Sequence, residues 1–441
     1  MKVAVIGAGW AGCAAAVEAC RQGHNVTLFE ATRTLGGRAR QVNVEHHKQG
    51  LSQTLSLDNG QHILIGAYSE GLKLMAELGI DERSALLRMP LTLRFPDGTG
   101  LKLPNLPAPI DAVMGILRAR GWSWRDKLSL LTTAARWQLR KFACPPEITV
   151  ASLCSRLTPR VMATLIDPLC VSALNTPAER ASGQVFLRVM RDALFTTSGG
   201  SNLLLPRTDL SALLPDAAAA WLQKHGAKVR MGSRVQSLLQ DGQFWQVSTA
   251  SEAVASANLN GPSSVDNFDA IILACPAQVA ARLVQGSAVS CTGWVESAQA
   301  LTYEAITTVY AFSRSGPLAQ PMLALPSSNK HPAQFVFDRS QLNGPAGLLA
   351  FVISASIGDA AALADQVAAQ ASHQLGMTDI NIVQTIVEKR ATFACTPGLI
   401  RPAQHIAPGL LAAGDYVDGP YPATLEGAVR SGLQAAMLLN K

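Results

Sequence analysis

The chain contains few charged residues, few aromatic residues and no Cys-x-x-Cys pair. Of its 441 residues, 15% are charged and 5% are aromatic, whereas 48% are hydrophobic and the mean hydropathy is +0.17. Intrinsic disorder requires low hydrophobicity and high charge, so this composition excludes a disordered chain. At about 150 residues per domain, the length predicts two or three domains around a large buried core.

The sequence also has no large excess of basic residues over acidic ones. Lysine and arginine number 37 against 31 aspartate and glutamate residues, which gives a formal net charge of +6. A nucleic-acid-binding protein usually has a stronger basic bias or a recognisable binding module, and the sequence has neither. Nucleic acid is therefore excluded as a partner.

The eight cysteines do not have the spacing of a metal site. None lies near a histidine at zinc-ligand spacing, so we expect no bound metal. We interpret them as buried free thiols in a reducing, cytoplasmic compartment, because a buried cysteine behaves as a small hydrophobic residue. They stand at Cys13, Cys20, Cys144, Cys154, Cys170, Cys275, Cys291 and Cys395.

No hydrophobic run is long and clean enough for a membrane span, which needs about 20 apolar residues. The run from Val3 to Val17 is broken by glycines, and the run from Gly347 to Ala364 contains Asp359. The second run divides into a predicted strand, Leu348 to Ser354, and an alanine-rich helix from Asp359 onward. The sequence therefore predicts no transmembrane helix.

The N-terminus has the pattern of a dinucleotide-binding unit. A short apolar strand leads into Gly7-Ala8-Gly9-Trp10-Ala11-Gly12, and a predicted helix, Cys13 to Gln22, ends at Gly23. A second strand, Asn25 to Phe29, then runs into Glu30 and Ala31. A glycine-rich turn between strand and helix, with an acidic residue after the second strand, is typical of this unit.

Each part of the unit has a physical role. Gly7 permits the tight turn, Gly9 lets the backbone approach a pyrophosphate, and Gly12 lets helix and strand pack closely. The helix N-terminus, with Trp10 and Ala11, offers unpaired N–H groups to the phosphates. Glu30 can accept hydrogen bonds from a ribose.

The residues after Glu30 distinguish between dinucleotides. The sequence continues to Leu35-Gly36-Gly37-Arg38, and here it resembles the flavin-containing amine oxidase and carotenoid desaturase superfamily. The resemblance implies that Gly36 and Gly37 pass close to FAD and that Arg38 lies near its diphosphate. A simple NAD domain has no reason for this extension, so we expect FAD as the cofactor.

Later segments agree with this resemblance. A strand from Gly409 to Ala413 runs into Gly414-Asp415, and Thr424-Leu425-Glu426 opens the final helix. The resemblance implies that Gly414 and Asp415 lie at the ribityl–phosphate region and that the backbone of residues 424–426 faces the flavin pyrimidine. A helix N-terminus there would stabilise the negative charge of a reduced flavin. Val235, in the predicted strand Arg234 to Leu239, completes this part of the expected cofactor site.

These elements predict an α/β protein with a discontinuous, Rossmann-type FAD-binding domain formed by residues 1–66, 199–286 and 404–441. Residues 67–198 and 287–403 would form a second, α+β substrate-binding domain with a mixed or antiparallel sheet and covering helices. Its sheet is predicted from strand-like runs near 305–312, 322–325, 334–337 and 348–354. The covering helices are predicted between about 110 and 195.

Further blocks point to a subfamily. Asp58-Asn59-Gly60-Gln61-His62 matches the superfamily segment that passes near the flavin, so Gly60, Gln61 and His62 join the expected cofactor residues. Together with other blocks, it closely resembles the bacterial hydroxysqualene dehydroxylases. Those blocks are Asp58–Tyr68, Glu147–Leu153, Asp167–Arg180, Val185–Phe195, Ser201–Leu210 and Ala412–Gly432.

The resemblance implies reductive chemistry that yields squalene for hopanoid and isoprenoid synthesis. Hydroxysqualene would lose its hydroxyl as water, and reduced FAD would deliver a hydride from N5. The protein would have to supply a long apolar tunnel, an acid and exclusion of water. Candidate acids in the resembled blocks are Asp58, His62, Asp167 and Asp192, with Asp58 and His62 favoured, and Asn175 could orient the hydroxyl. Each of them also has a structural alternative, as a turn, cap or ion-pair residue.

The stretch from Ile110 to Phe142 combines basic and apolar residues. It contains seven basic residues, only two acidic ones, and three of the seven tryptophans. Leu128, Leu131, Ala135, Leu139 and Phe142 fall on one side of a helix. Such a helix can lie on the inner face of the cytoplasmic membrane as a peripheral contact. The alternative is a solvated helix that packs on the protein's own core.

Three rival functions remain open. A carotenoid or phytoene-type desaturase would use the same fold and FAD in the oxidative direction. A flavin amine oxidase is less favoured, because five tyrosines leave few residues for an aromatic cage. A non-catalytic prenyl-lipid chaperone would lack a working FAD site, so it should purify colourless. A hydrolase has no support, since no G-x-S-x-G motif occurs.

The sequence has no second G-x-G-x-x-G unit that would bind NAD(P)H. We therefore expect an external electron donor, whose identity the sequence does not reveal.

Overall fold

The computed structural model describes residues 1–48, 51–196, 199–251 and 264–440. The strands of the first half are β1 (Lys2–Ile6), β2 (Asn25–Phe29), β3 (Gln41–Lys48), β4 (Leu51–Asp58), β5 (Leu64–Ile65), β6 (Leu86–Met89), β7 (Thr92–Arg94), β8 (Gly100–Lys102), β9 (Leu203–Pro206) and β10 (Lys228–Arg230). Those of the second half are β11 (Ser233–Asp241), β12 (Phe244–Ser251), β13 (Ser264–Phe268), β14 (Ala270–Leu273), β15 (Tyr303–Phe312), β16 (Met322–Ala324), β17 (Phe335–Asp338), β18 (Leu348–Ser354), β19 (Asn381–Phe393), β20 (His405–Ala407) and β21 (Leu410–Ala412).

The helices lie mostly between these strands. They are α1 (Trp10–Arg21), α2 (Ser69–Glu77), α3 (Glu82–Ala85), α4 (Ile110–Leu117), α5 (Trp124–Leu139), α6 (Val150–Leu153), α7 (Pro159–Val161), α8 (Asp167–Leu174), α9 (Gly183–Arg191), α10 (Leu210–Leu213), α11 (Pro215–Lys224), α12 (Ala277–Gln285), α13 (Thr292–Gln299), α14 (Ala360–Leu375) and α15 (Leu425–Met437). Two segments are π-helical, the first at Met162–Ile166 and the second at Asp192–Thr196, and two are 3-10 helices, Arg339–Leu342 and Leu438–Asn440.

A six-stranded sheet draws its strands from three distant parts of the chain. Its order is β10-β2-β1-β14-β21-β20, and the first five strands are parallel. β20 pairs antiparallel at the edge. The central strands are almost fully buried, as apolar, β-branched runs in a parallel sheet require. This confirms the predicted Rossmann-type α/β fold, whereas the exact domain bounds stay a prediction.

The second large sheet has five antiparallel strands in the order β16-β17-β18-β15-β19. Its two faces are buried against different layers because side chains alternate along each strand. One face shares a core with α5, α8 and α9, and the other packs on α14. The antiparallel sheet and its covering helices were both predicted from the sequence.

Several elements differ from the predictions. The sequence predicts one helix from Asp209 to Gly226, but Leu214 has φ −152° and separates α10 from α11. Pro215 explains the break, because a proline disfavours helical geometry in the residue before it. The hairpin β3–β4 and the long strand β19 were not predicted. The hairpin of β11 and β12 closes at Asp241-Gly242, a dipeptide that favours a two-residue hairpin turn.

The cysteines agree in part with the expectation of buried free thiols. All eight cysteines are free thiols, and five of them are buried. Among the described residues, no helix is both long and apolar enough to span a bilayer.

Candidate active site

The carboxyl ends of the parallel strands meet at one edge of the six-stranded sheet. β1 is followed by Gly7, β2 by Glu30, and β21 by Gly414 and Asp415. In open α/β sheets, ligands bind in the crevice outside these ends. The fold therefore brings predicted cofactor residues from both ends of the chain to one edge.

The three glycines of the first turn have different surroundings. Gly7 has φ +108°, and a Cβ there would lie 2.6 Å from the carbonyl oxygen of Ala274. A Cβ on Gly12 would lie 1.8 Å from the carbonyl oxygen of Gly7. A Cβ on Gly9, by contrast, would meet nothing within 4 Å. Gly7 and Gly12 therefore serve close packing, while Gly9 borders open space beside the N-terminus of α1, which suits a bound anion.

Glu30 is buried against the same turn. Its Oε2 accepts a hydrogen bond of 2.9 Å from the backbone N–H of Ala8. Its Oε1 accepts bonds of 2.9 Å from both the N–H and the hydroxyl of Thr32. A carboxylate has about four acceptor positions, so one remains for a ligand hydroxyl. Ala31, the next residue, is half-buried.

Val235 lies in β11, the strand whose start contacts the backbone of Glu30. The N–H of Ser233 donates to the carbonyl oxygen of Glu30 at 2.8 Å, which holds the start of β11 against the end of β2. Val235 is buried and directly precedes an irregularity in the β11–β12 ladder. Val235 therefore lies two residues along β11 from this backbone contact, and its role in cofactor binding stays a prediction.

The Leu-Gly-Gly-Arg segment crosses in front of the glycine turn. Gly36 has φ +99° and forms a parallel bridge with Gly9, and Gly37 has φ +60°. Arg38 forms an ion pair with Asp415 and donates a bond of 2.8 Å to a backbone carbonyl of β19. Trp10, at the buried start of α1 with Ala11, donates from its indole N–H to the carbonyl oxygen of Ala39, the residue after this segment, at 3.3 Å.

Helix α15 presents its N-terminus beside the same edge. Thr424 caps the helix, because its hydroxyl accepts a bond of 3.0 Å from the N–H of Gly427. The N–H groups of Leu425 and Glu426 belong to the first turn, where no partner exists within the helix. The Glu426 side chain turns to α2, accepts the N–H of Gly71 at 2.8 Å and pairs with Arg430. The helix end therefore keeps its partial positive charge.

Asp58 is almost fully buried. Its Oδ1 accepts the N–H of Leu210 at 2.8 Å, and its Oδ2 lies 3.8 Å from a guanidinium nitrogen of Arg339. Burial raises the pKa of Asp58 to about 6, although the Leu210 bond and Arg339 oppose the rise. Arg339 also donates to Gln61 at 3.0 Å, and the Tyr310 hydroxyl donates to the Asp58 carbonyl at 2.9 Å. Arg339 lies far from every motif in the sequence, so no sequence pattern marks it.

His62 and Thr308 lie together beside Gly60. The Nδ1 atom of His62 is 2.8 Å from the carbonyl oxygen of Gly60, so it carries a proton and leaves Nε2 available. Burial, together with the charge of Arg38, lowers the pKa of His62. A Cβ on Gly60 would lie 3.6 Å from the His62 ring and 3.9 Å from the Thr308 hydroxyl. No sequence pattern marks Thr308, which is one of many buried residues in β15.

Buried polar atoms without a partner occur around these residues. Among the described residues they include Oγ1 of Thr308, Nδ2 of Asn59 and the hydroxyl of Tyr416, which follows Asp415. Buried polar groups nearly always have a hydrogen-bond partner, so each such atom calls for a bound group or water. The atoms therefore fit polar groups of a bound cofactor and of a substrate at this site.

Asp167 and Asn175 lie at the two ends of α8. Burial, with the nearby charge of Glu179, raises the pKa of Asp167 to about 6. Asn175 ends the helix with φ +45°, accepts the N–H of Ala355 at 2.7 Å and donates to Thr392 at 3.0 Å. In the part of the chain that the structure describes, no hydrogen bond or ion pair joins either residue to the segment of residues 58–62. Their catalytic roles stay predictions.

The chain is similar to known flavoproteins over nearly its whole length. The family model of flavin-containing amine oxidoreductases matches residues 10–440. Hydroxysqualene dehydroxylase of Rhodopseudomonas palustris is 27% identical over 99% of this chain and 98% of that protein. The hydroxysqualene dehydroxylase of Zymomonas mobilis is 26% identical over 98% of each. Zeta-carotene desaturase of Zea mays is 32% identical, but over 29% of this chain and 22% of that protein.

A solved structure shares the fold. The crystal structure of an oxidoreductase from Methanosarcina mazei superposes with a TM-score of 0.71 at 16% identity, over 99% of this chain and 100% of that one. At this identity the likeness shows a common architecture only.

Proposed function

The chain belongs to the flavin-containing amine oxidoreductase family and is an FAD-dependent oxidoreductase, and from this premise we propose that it converts hydroxysqualene to squalene. The observation that carries the proposal is the extent of similarity. Hydroxysqualene dehydroxylases match almost end to end, whereas the carotene desaturase matches less than a third of the chain.

The residues at the sheet edge would hold FAD. Gly9 and the N-terminus of α1 would receive the diphosphate, and Glu30 would accept the adenosine ribose hydroxyls. Asp415, paired with Arg38, would hold the ribityl–phosphate region, and the first turn of α15 would face the pyrimidine ring. When bound and reduced, FAD supplies a hydride.

The chain's own residues would bind the leaving hydroxyl and donate a proton to it. We assign His62 and Thr308 to its oxygen, because His62 Nε2 is available and the Thr308 hydroxyl has no partner. Protonated His62 would donate its proton as the C–O bond breaks, and the oxygen would leave as water. One proton and one hydride together replace the hydroxyl by hydrogen, so atoms and electrons balance. Asp58 is the second candidate for the proton donor.

A peripheral membrane contact through residues 110–142 is part of the proposal. The outer face of α5, formed by Trp124, Leu128, Ala135 and Leu139, is exposed to solvent. Three of these side chains are more than half exposed: Trp124 at 74%, Leu128 at 61% and Leu139 at 84%. An isoprenoid substrate resides in a bilayer, and an exposed apolar helix face beside basic residues suits an interfacial position.

The decisive test is a product assay. Purified protein is incubated with hydroxysqualene and chemically reduced FAD without oxygen, and squalene is scored by mass. Formation of squalene supports the proposal. Absence of squalene, with desaturation of phytoene under oxidising conditions, would assign the chain to the desaturase alternative.

A matched pair of variants makes the assay specific for the site. Glu30→Ala removes the predicted ribose acceptor and should lose both bound flavin and squalene formation. Glu18→Ala, on neighbouring α1, removes a partly exposed carboxylate and should retain both. Equal flavin content in the two variants would contradict the role given to Glu30.

A further inference from the structure

A wholly apolar cavity of about 60 Å³ lies inside the helical layer. Each lining side chain is aliphatic or aromatic, or is methionine. Helix α4 contributes Ala112 and Ile116, and α5 contributes Leu130, Ala134 and Trp137. A cavity without polar groups cannot hold water well, so it suits an apolar ligand.

Both π-helical segments form part of its wall. Leu165 and Ile166 come from the first segment, and Leu194 and Phe195 come from the second. Single π-helical turns are uncommon and occur frequently at functional sites. Two of them at one cavity indicate that the wall is shaped for a ligand.

The layer that closes the cavity is only one helix thick. α5 turns Leu130, Ala134 and Trp137 inward, and it turns Leu128 and Leu139 to solvent on the opposite side. α4 likewise lines the cavity and leaves Ile110 and Val113 exposed. An apolar chain that passes between α4 and α5 would therefore meet apolar side chains on both sides.

In this helical layer the acidic residues are buried and the arginines are exposed. Its two acidic residues, Asp111 and Asp126, are buried, and Asp126 closes the capping box of α5. Its arginines are exposed, and within the described residues none of them forms an ion pair; they are Arg118, Arg120, Arg125, Arg136 and Arg140. The outer surface is therefore apolar and positive, which complements an anionic bilayer.

From these observations we infer that the cavity is the binding chamber for an isoprenoid chain, which enters between α4 and α5 from the membrane. The class of ligand rests on the proposed function, whereas the location rests on the cavity itself. The cavity is much smaller than a chain of squalene length, so α4 and α5 would have to move apart for the chain to enter.

Photo-crosslinking of the unmodified holoenzyme tests the location. Farnesol with a diazirine group is the probe, because it is an isoprenoid alcohol that needs no turnover for binding. We expect labelled peptides from α4, α5 and the π-helical segments, with labelling suppressed by excess farnesol. Labelling confined to other parts of the chain would overturn the inference.

A matched pair of variants tests the same point by affinity. Ala134→Phe fills the cavity, whereas Ala369→Phe adds the same ring to an exposed position of α14, which lines neither the cavity nor the outer face of α5. We expect farnesol affinity to fall at least tenfold in A134F and less than twofold in A369F, with equal flavin spectra. Unchanged affinity in A134F contradicts the inference. If farnesol binds as expected but no squalene forms, the proposed reaction is wrong and the chamber stands.

Discussion

Thr308 is the single residue that we most expect to bind a ligand oxygen, although no sequence motif marks it. Its side chain is fully buried, its hydroxyl has no partner, and it lies beside Gly60 and His62. A buried hydroxyl without a partner costs about 1–3 kcal/mol, so folding alone does not favour it. A ligand oxygen that accepts or donates there would remove this cost.

Replacement of Thr308 by valine preserves its shape and removes the hydroxyl. We expect kcat for hydroxysqualene to fall about tenfold to a hundredfold, which corresponds to one hydrogen bond of about 1.5–3 kcal/mol to a charged or developing centre. Flavin content and melting temperature should not fall. Steady-state kinetics and the visible spectrum measure these quantities.

The neighbouring residue provides the control for this prediction. Thr307 lies on the other face of β15, and its hydroxyl donates to Ser356 at 2.9 Å. Thr307→Val should lower stability by about 1 kcal/mol and leave kcat unchanged. A similar loss of kcat in both variants would show that Thr308 acts on packing only.

The pH profile separates the two candidate proton donors. For either one the protonated form is active, so kcat/KM should fall about tenfold per pH unit above its pKa. The pKa of Asp58, which faces Arg339, Asp209 and Tyr310, is raised to about 6. The pKa of His62 is lowered by burial and by Arg38.

We expect His62→Gln to abolish the pH-dependent decline together with most of the activity. Asp58→Asn should retain the decline, since the amide can still accept the N–H of Leu210. Loss of the decline in the Asp58 variant alone would transfer the donor role to Asp58. Rate measurements between pH 5 and 9, at saturating reduced FAD, decide between them.

At the scale of elements, the sequence predicts best where a strand or helix has a regular apolar pattern. β1, β2, β14 and β18 are buried along almost their whole length and stand out as apolar runs. β3 and β19 mix polar with apolar residues, and most of β19 is partly exposed, so neither strand stands out as an apolar run. The π-helical segments could not be predicted, because a π turn depends on tertiary packing and has no composition of its own.

The exposed apolar face of helix α5 is the surface that we expect to contact the membrane. The double substitution Leu128→Glu/Leu139→Glu places two charges on its outer face and leaves its buried face intact. Burying a leucine contributes about 1.5–3 kcal/mol, so we expect binding to phosphatidylcholine–phosphatidylglycerol vesicles to fall at least tenfold. Vesicle flotation measures the bound fraction.

Two exposed isoleucines elsewhere give a matched control. Ile357 and Ile400 are 89% and 80% exposed, and neither belongs to α4 or α5. Ile357→Glu/Ile400→Glu should float like the unmodified protein. Equal flotation of all three proteins would remove α5 from the membrane contact.

At the scale of the whole molecule, the candidate site exists only because distant segments share one sheet. β1 and β2, β10 and β14, and β21 bring their carboxyl ends together from the beginning, middle and end of the chain. The sequence reveals Gly7, Glu30 and Asp415 because each follows a recognisable strand. It cannot reveal Thr308 or Arg339, whose place in the site depends on how the antiparallel sheet packs on residues 58–62.

Gly9→Ala separates cofactor binding from folding in the whole molecule. The added methyl group meets no protein atom within 4 Å, and φ at residue 9 is −75°, so the fold without FAD should be unaffected. The same methyl group would occupy the space in which we propose that the diphosphate of FAD binds. FAD at 100 times its dissociation constant stabilises a protein by about 2.7 kcal/mol, and this increment should be lost in G9A. Thermal unfolding with and without FAD measures it. Gly293→Ala is the control, because its added methyl group also meets no atom within 4 Å, and it should keep the stabilisation by FAD. If FAD raises the melting temperature of G9A as much as that of the unmodified chain, the cofactor does not lie on this turn.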